Sequence, residues 1–195
     1  CSIFALAKIG ATAGLINTGL TDRPLAHCIS TVNSKKCLIG QELLASVEGV
    51  KAGLELADKD YLWVQDHQMD QSAPAWATDF SATLADMPTD NHPETEDIAA
   101  GEIALYIFTS GTTGPARGVV HAHGALIDRA RAAAALDGLN DEDTSVAYLP
   151  PAWMVQHMFA YALPMVTGSC VCCPESSETM LNDMREMGPT VFLAP

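Results

Sequence analysis

Residues 104–121 read Ala104-Leu105-Tyr106-Ile107-Phe108-Thr109-Ser110-Gly111-Thr112-Thr113-Gly114-Pro115-Ala116-Arg117-Gly118-Val119-Val120-His121. The opening residues form an apolar run rich in strand-forming types. Thr109 to Gly118 then breaks into Thr, Ser, Gly and Pro with one cation. Apolar residues follow and lead into an alanine-rich helical stretch. This order predicts a strand-to-helix junction carrying a phosphate loop. Gly111 and Gly114 let the backbone turn with its N–H groups converging, where side chains would obstruct. Thr109, Ser110, Thr112 and Thr113 add hydroxyl donors, and Arg117 adds a fixed cation. Convergent donors with one cation suit a polyphosphate. Composition alone is served equally well by a polar turn between two elements. The Walker A pattern GxxxxGK[ST] is not met, since no Lys-Ser/Thr pair follows Gly114 or Gly118.

Helical and strand patterns alternate on both sides of this stretch. Upstream, Ser2 to Gly10 predicts a helix stopped at glycine, and Ala11 to Asn17 a short apolar segment. Thr21-Asp22-Arg23-Pro24 gives a cap and an early proline for a helix through Leu25 to Val32. Lys36 to Ile39 and Tyr61 to Val64 predict strands. Between them, Gln41 to Ala57 predicts an amphipathic helix with Leu43, Val47, Val50, Leu54 and Ala57 on one face. Downstream, the predicted order is strand Ile103 to Phe108, helix Gly124 to Leu136 and strand Ser145 to Leu149. Helix Trp153 to Leu163, strand Gly168 to Cys173 and helix Ser177 to Met187 follow, the last with Met180, Met184 and Met187 facing inward. Thr190 to Ala194 is the final strand. Strands separated by helical segments imply an α/β fold of mostly parallel sheets flanked by helices.

Residues 66–102 differ in character. From Asp58 to Glu102 there are eleven acids and one base, Lys59, with prolines at 74, 88 and 93. Trp76, Phe80 and Leu84 at four-residue spacing predict one short helix, Ala75 to Ala85. The rest reads as an acidic connecting segment with a solvated face.

A net charge of −14 argues against a nucleic-acid partner, which needs a basic surface, but leaves room for a local nucleotide site. No apolar run reaches the length of a membrane-spanning helix. Of the six cysteines only Cys170 and Cys173 stand at CxxC spacing, with no second such pair and no histidine at zinc-ligand spacing. Cys170-Val171-Cys172-Cys173 reads as small buried hydrophobes of a strand. Reduced thiols fit a cytoplasmic compartment. The chain opens at Cys1 in what reads as the middle of a helix, without a charged leader, and closes in an apparent strand. It therefore reads as a piece of a larger protein.

Thr109 to Gly118 resembles the TSGTTGxPKG signature of AMP-forming acyl-CoA synthetases and related adenylating enzymes. Eight of ten positions agree, counting the free one. Ala116 stands in place of proline, and Arg117 in place of lysine, a wider fork than an ammonium. Cys1 to Leu44, with Leu25-Ala26-His27-Cys28, is similar to the upstream region of fatty-acid transport proteins and long-chain acyl-CoA synthetases. Tyr148-Leu149-Pro150-Pro151-Ala152-Trp153 and Cys173 to Thr190 resemble bacterial long-chain acyl-CoA synthetases. On this resemblance residues 1–195 are an incomplete large N-terminal AMP-binding domain, without the small C-terminal domain.

The resemblance implies a fatty acid, ATP with Mg²⁺, and CoA as reactants, peripheral membrane association being compatible with it. It implies that Thr109, Ser110, Gly111, Thr112, Thr113, Gly114, Arg117 and Gly118 hold the nucleotide's phosphates, with Thr109 assisting the metal. It also implies that the segment after the Tyr148–Pro150 strand lines the acyl pocket. There Trp153, His157 and Tyr161 share a predicted helix face at i, i+4 and i+8, although Trp153 and Tyr161 serve a core equally well. His157 is more informative, because a buried histidine needs a partner. His123 reads as a helix-start or site-lining residue, with His121 less certain. No catalytic residue is assigned within the chain. The family's Tyr-Gly-x-Thr-Glu segment, its ribose-binding Asp and its catalytic Lys do not occur in it, so the chain alone is expected to be inactive. The aliphatic, Met- and Ala-rich segment Met154 to Met165 favours an apolar tail, and no isolated pocket Asp for an amino group is evident. Two other readings stand beside the fatty-acid ligase. One is a ligase for another carboxylate. The other is a non-catalytic acyl- or nucleotide-binding relative, motivated by Ala116 and Arg117.

Overall fold

A computed structural model describes residues 1–65, 71–109 and 114–192. The chain divides into two compact units. One comprises Cys1–Asn17, Asp97–Ile107 and Val120–Pro195; the other comprises Thr18–Glu96 and Phe108–Val119.

In the first unit, helix α1 (Ser2–Lys8) leads to strand β1 (Ala13–Leu15). Gly10, at φ +65°, ends the helix: its N–H donates to the Ala7 carbonyl and that of Ala11 to the Leu6 carbonyl. This left-handed glycine stop satisfies the last carbonyls of the helix, as the sequence predicts. β1 pairs in parallel with β5 (Ile103–Thr109), in register Ala13↔Leu105 to Leu15↔Ile107. β5 also neighbours β6 (Arg117–Ala122). Ala13, Ala104, Leu105, Ile107 and Leu126 form a core against which Ile3, Leu6, Leu15 and Met154 pack. Helix α5 (His123–Asp137) follows and closes at Gly138. β7 (Thr144–Val146) pairs in parallel with β8 (Cys170–Cys172). Between them run α6 (Met154–His157), a π-helical turn (Met158–Ala162) and α7 (Leu163–Thr167). Ala130, Ala162 and Leu163 form a second core with Met158, Phe159 and Val166 around it. Helix α8 (Met180–Met187) ends the helical series.

In the second unit, α2 (Asp22–Thr31) and α3 (Leu44–Lys51) pack together beside a parallel sheet. Its strands are β2 (Cys37–Gly40), β3 (Tyr61–Val64) and β4 (Thr78–Asp79). Leu25, Cys28, Ile29, Ile39, Val47, Val50, Tyr61 and Trp63 are buried here. Burying each large apolar side chain stabilises by roughly 1.5–3 kcal/mol, and β3 buries Tyr61 and Trp63 on one face while Leu62 and Val64 stay half-buried on the other. A short helix, α4 (Phe80–Leu84), follows β4.

The α/β class and the predominance of parallel pairing agree with the sequence. Several boundaries do not. The loop does not lead straight into a helix: β6 intervenes, because Val119 and Val120 favour extended backbone. The connection from β5 to β6 is confined to 110–116, too short for the crossover that parallel neighbours need. Gln41 to Ala57 is not one helix but a 3-10 turn, Gln41–Leu43, followed by α3. Gly53 lies just past its end, and Ala57 is exposed rather than on a buried face. Ala75 to Ala85 is not one helix either. The Asp79 carboxylate accepts the Ala82 N–H at 2.9 Å, so a cap forms at Asp79 and no helix extends upstream of it. Trp153 to Leu163 is broken by the π-helical turn, and Trp153 caps it from outside. Cys170 and Cys173 are exposed and Cys172 half-buried, because β8 borders its two-stranded sheet on one side only. Met180, Met184 and Met187 are half-buried rather than interior. In the described part of the expected last strand Val191 bridges Ser145 in parallel; Leu193 and Ala194 lie outside the described residues. Among the described residues no helix is long and apolar enough to cross a membrane.

Candidate functional site

β5 delivers Thr109 and β6 begins at Arg117, so the strand ends define the two shoulders of the loop. Ser110, Gly111, Thr112 and Thr113 lie outside the described residues. Across the shoulders, Thr109 Oγ1 donates to the Arg117 carbonyl at 3.5 Å, a length that holds the hydroxyl weakly. Thr109, Gly114 and Arg117 are exposed and Gly118 is half-buried. Arg117 makes no ion pair among the described residues, which leaves its guanidinium open to an anion. On the same shoulder the Ala116 carbonyl accepts a 2.9 Å hydrogen bond from His27 Nε2 on α2. Thr31, one helical turn on, donates Oγ1 to the His27 carbonyl at 2.7 Å and lies 3.5 Å from the same Nε2. No periodicity connects residue 27 to residue 116. The one signal in the sequence is that His27 stands in the stretch similar to fatty-acid transport proteins.

In the other unit, α6 and the π-helical turn build an aromatic stack. His157 is 3% exposed and stacks on Tyr161, with ring centroids 4.8 Å apart and planes 25° apart. Phe4 of α1 stacks on Tyr161 at 4.1 Å and 14°. Two rings this close to a third cannot share one face, so Tyr161 is sandwiched. Phe4 carries no local signal in the sequence. The wider π turn keeps His157 and Tyr161 in contact. Trp153 is 47% exposed and makes no ring contact among the described residues. The structure thus brings His157 and Tyr161 together and leaves Trp153 outside the stack.

The stack is uncharged. Burial lowers the His157 pKa to about 4, with His121 adding repulsion. Burial also lowers that of His121, and Arg129 lowers it further. The Tyr161 hydroxyl faces the Phe4 backbone without a well-formed bond, and burial pushes its pKa up to about 12. His123 starts α5, and its Nε2 is buried without a partner among the described residues. An open cavity of about 460 Å³ lies elsewhere, between α5 and α7. Arg131, Leu139, Asn140, Asp141 and Val166 are among the residues that line it, and none of them belongs to the predicted site. Among the described residues no three His, Cys, Asp or Glu side chains converge to hold a metal.

Mostly parallel α/β pairing, with Arg117 making no ion pair among the described residues beside the Gly/Thr stretch, defines the class: an α/β protein with a glycine- and threonine-rich stretch between two strands. The chain belongs to the AMP-binding enzyme family, whose profile matches residues 1–195. It is 28% identical to the long-chain-fatty-acid–CoA ligase of Thermus thermophilus over 83% of this chain and 27% of that protein. It is 25% identical to human long-chain fatty acid transport protein 5 over 99% of this chain and 28% of that protein. The chain thus spans little more than a quarter of these relatives. In fold it matches the anthranilate CoA ligase AuaEII solved with anthranoyl-AMP, with a TM-score of 0.85 at 22% identity. That match covers 98% of this chain and 36% of the ligase. A long-chain-fatty-acid–CoA ligase from Archaeoglobus fulgidus matches with a TM-score of 0.76 at 20% identity, over 97% of this chain and 36% of that one.

Proposed function

We propose that the protein bearing this chain is an ATP-dependent long-chain fatty acid–CoA ligase, and that residues 1–195 are part of its large N-terminal domain. The observation that carries this is the Thr109–Gly118 signature seated on the β5–β6 connection, with Arg117 exposed and unpaired among the described residues. Relatives whose names specify long-chain acids support the substrate class. Six free thiols fit a cytoplasmic setting.

In the first step a carboxylate oxygen of the acid attacks the α-phosphorus of ATP. The acyl–phosphate bond forms as the α–β anhydride breaks, and pyrophosphate leaves. The CoA thiolate then attacks the acyl carbonyl and AMP departs. An anion approaching a polyanion needs preorganised donors and positive charge. Ser110, Gly111, Thr112, Thr113, Gly114 and Gly118 supply loop donors, and Arg117 supplies charge at the outer phosphates. Thr109, with its exposed and weakly held hydroxyl, is the residue here that would hold Mg²⁺ accompanying ATP, and the ion would supply further positive charge to the phosphates. One protein oxygen suffices where phosphates and waters complete the shell, so the lack of a convergent acid cluster among the described residues does not conflict with it. The acyl-pocket role assigned to Trp153, His157 and Tyr161 asks for an uncharged lining: burial keeps His157 and Tyr161 neutral, and Trp153 is the exposed residue of the three.

ATP–pyrophosphate exchange by the full-length protein tests this. Exchange driven by long-chain acids is expected. Exchange driven by aryl or amino acids instead would move the substrate class. No exchange with any carboxylate would favour a non-catalytic binding protein, the reading that Ala116 and Arg117 motivate.

A further inference from the structure

We propose that His27 is a positioning residue for the phosphate loop: its Nε2–H, bonded to the Ala116 carbonyl, fixes the shoulder from which Arg117 is presented. The role at ATP rests on the function proposed above; the anchoring itself does not.

The bond is 2.9 Å long and joins residues 89 apart in sequence. A carbonyl only accepts, so Nε2 carries the proton and the tautomer is set by the contact. The donor is well supported. α2 is held to its core by Leu25, Cys28 and Ile29, residues within two positions of His27. Thr31 bonds the His27 carbonyl and lies beside the ring nitrogen, limiting where the imidazole turns. On the acceptor side the β5–β6 pairing begins only at Arg117, one residue beyond Ala116. Among the described residues no other side chain bonds to residues 114–118 at under 3 Å; the Thr109 contact to Arg117 is 3.5 Å. The Ala116 N–H donates no hydrogen bond among the described residues.

Residue identity at 116 explains why an anchor is needed there. A proline would lock φ near −65° through its own ring. Alanine leaves that torsion free, and the freedom must be removed whenever Arg117 is to meet a ligand. His27 restrains the same residue from outside: by holding its carbonyl it fixes ψ and the peptide plane that leads into Arg117, where a proline ring would fix φ. Proline at 116 and histidine at 27 are therefore two means to one end, and each should compensate for loss of the other.

The test uses the full-length protein with His27→Ala, His27→Gln, Ala116→Pro and the double variant His27→Ala/Ala116→Pro. Amide hydrogen exchange at Gly114 and Arg117 is followed without nucleotide. KM for ATP, KM for the acid and kcat are taken from pyrophosphate exchange. His27→Ala should speed exchange at both amides by about tenfold and raise KM for ATP by about three- to tenfold, as expected for losing one hydrogen bond. KM for the acid should stay constant. His27→Gln, which keeps an N–H donor, and the double variant should each restore both readouts. Unchanged amide exchange in His27→Ala, or a loss that neither His27→Gln nor the added Ala116→Pro repairs, would overturn the proposal. Faster exchange with an unchanged KM for ATP in an active enzyme would uphold the anchor and refute the reading of the loop as the phosphate site.

Discussion

Lowering the pH from about 7.5 to about 4.5 should destabilise the fold through His157, and His157→Gln should remove that part of the dependence. In the folded chain burial, with repulsion from His121, holds the ring's pKa at about 4 against an ordinary 6.5. The unfolded chain therefore takes up a proton first as pH falls. Stability from this group is intact above pH 6.5, declines from there, and levels off below about 4. At about 1.4 kcal/mol per pH unit the full loss is about 3 kcal/mol, and about 2.5 kcal/mol is reached by pH 4.5. His121 is also held down, by burial and then by Arg129, and acts in the same direction. It stays in the variant and leaves a residual slope. Asp60, held down first by its bond from Lys36, and Asp143, held down first by the Asn140 amide, lose their contributions in acid in both proteins and cancel in the comparison. Urea unfolding of wild type and variant across this pH range gives the difference, and NMR titration of the His157 ring gives its pKa directly. Parallel pH profiles for the two proteins, or a His157 ring titrating near 6.5, would refute the reasoning.

Arg117→Ala should raise KM for ATP by about ten- to a hundredfold, the range for losing a charged hydrogen bond, and leave acid binding little changed. Arg117→Lys should be tolerated if charge alone matters, and unchanged ATP dependence in the alanine variant would remove Arg117 from the phosphates. Phe4→Ala should cost about 0.5–1.5 kcal/mol in urea unfolding by deleting the ring stacked at 4.1 Å on Tyr161, whereas Phe4→Tyr should stay near wild type. Equal losses in the two would argue against stacking. Gly168, at φ +78°, would carry a new Cβ 3.3 Å from the Asp141 Cβ, so Gly168→Ala should destabilise by about 1–2 kcal/mol. Gly49 lies inside α3 with nothing near its Cβ position, and Gly49→Ala should stabilise by about 0.5–1 kcal/mol in the same assay.

What can be read from the residues is what neighbours in sequence determine. The α1 stop is legible because Gly10 and the two bonds that close the helix lie within six residues. The parallel pairings of β2 with β3 and of β7 with β8 are legible because helical segments separate those strands, whereas β4 pairs in parallel with β3 inside the stretch read as the helix 75–85. The helix expected over 75–85 fails because spacing counts Trp76, Phe80 and Leu84 but not the cap at Asp79, which outranks it. The break after His157 escapes for a related reason: a π turn keeps i to i+4 neighbours in contact, so the ring spacing looks helical on either side of it. Exposure of Cys170 and Cys173 follows from how many strands flank β8, a property of the sheet and not of the strand's own residues. The loop is the limiting case. Its chemistry is carried by contiguous residues and so is visible at once, yet its two departures from the signature have no local explanation. The one at Ala116 acquires a reason when the carbonyl it leaves unrestrained is found bonded to a histidine on α2. If His27 anchors residue 116 as proposed, a substitution that looks degenerate within the motif is compensated from α2, a contact that the motif match alone does not reveal.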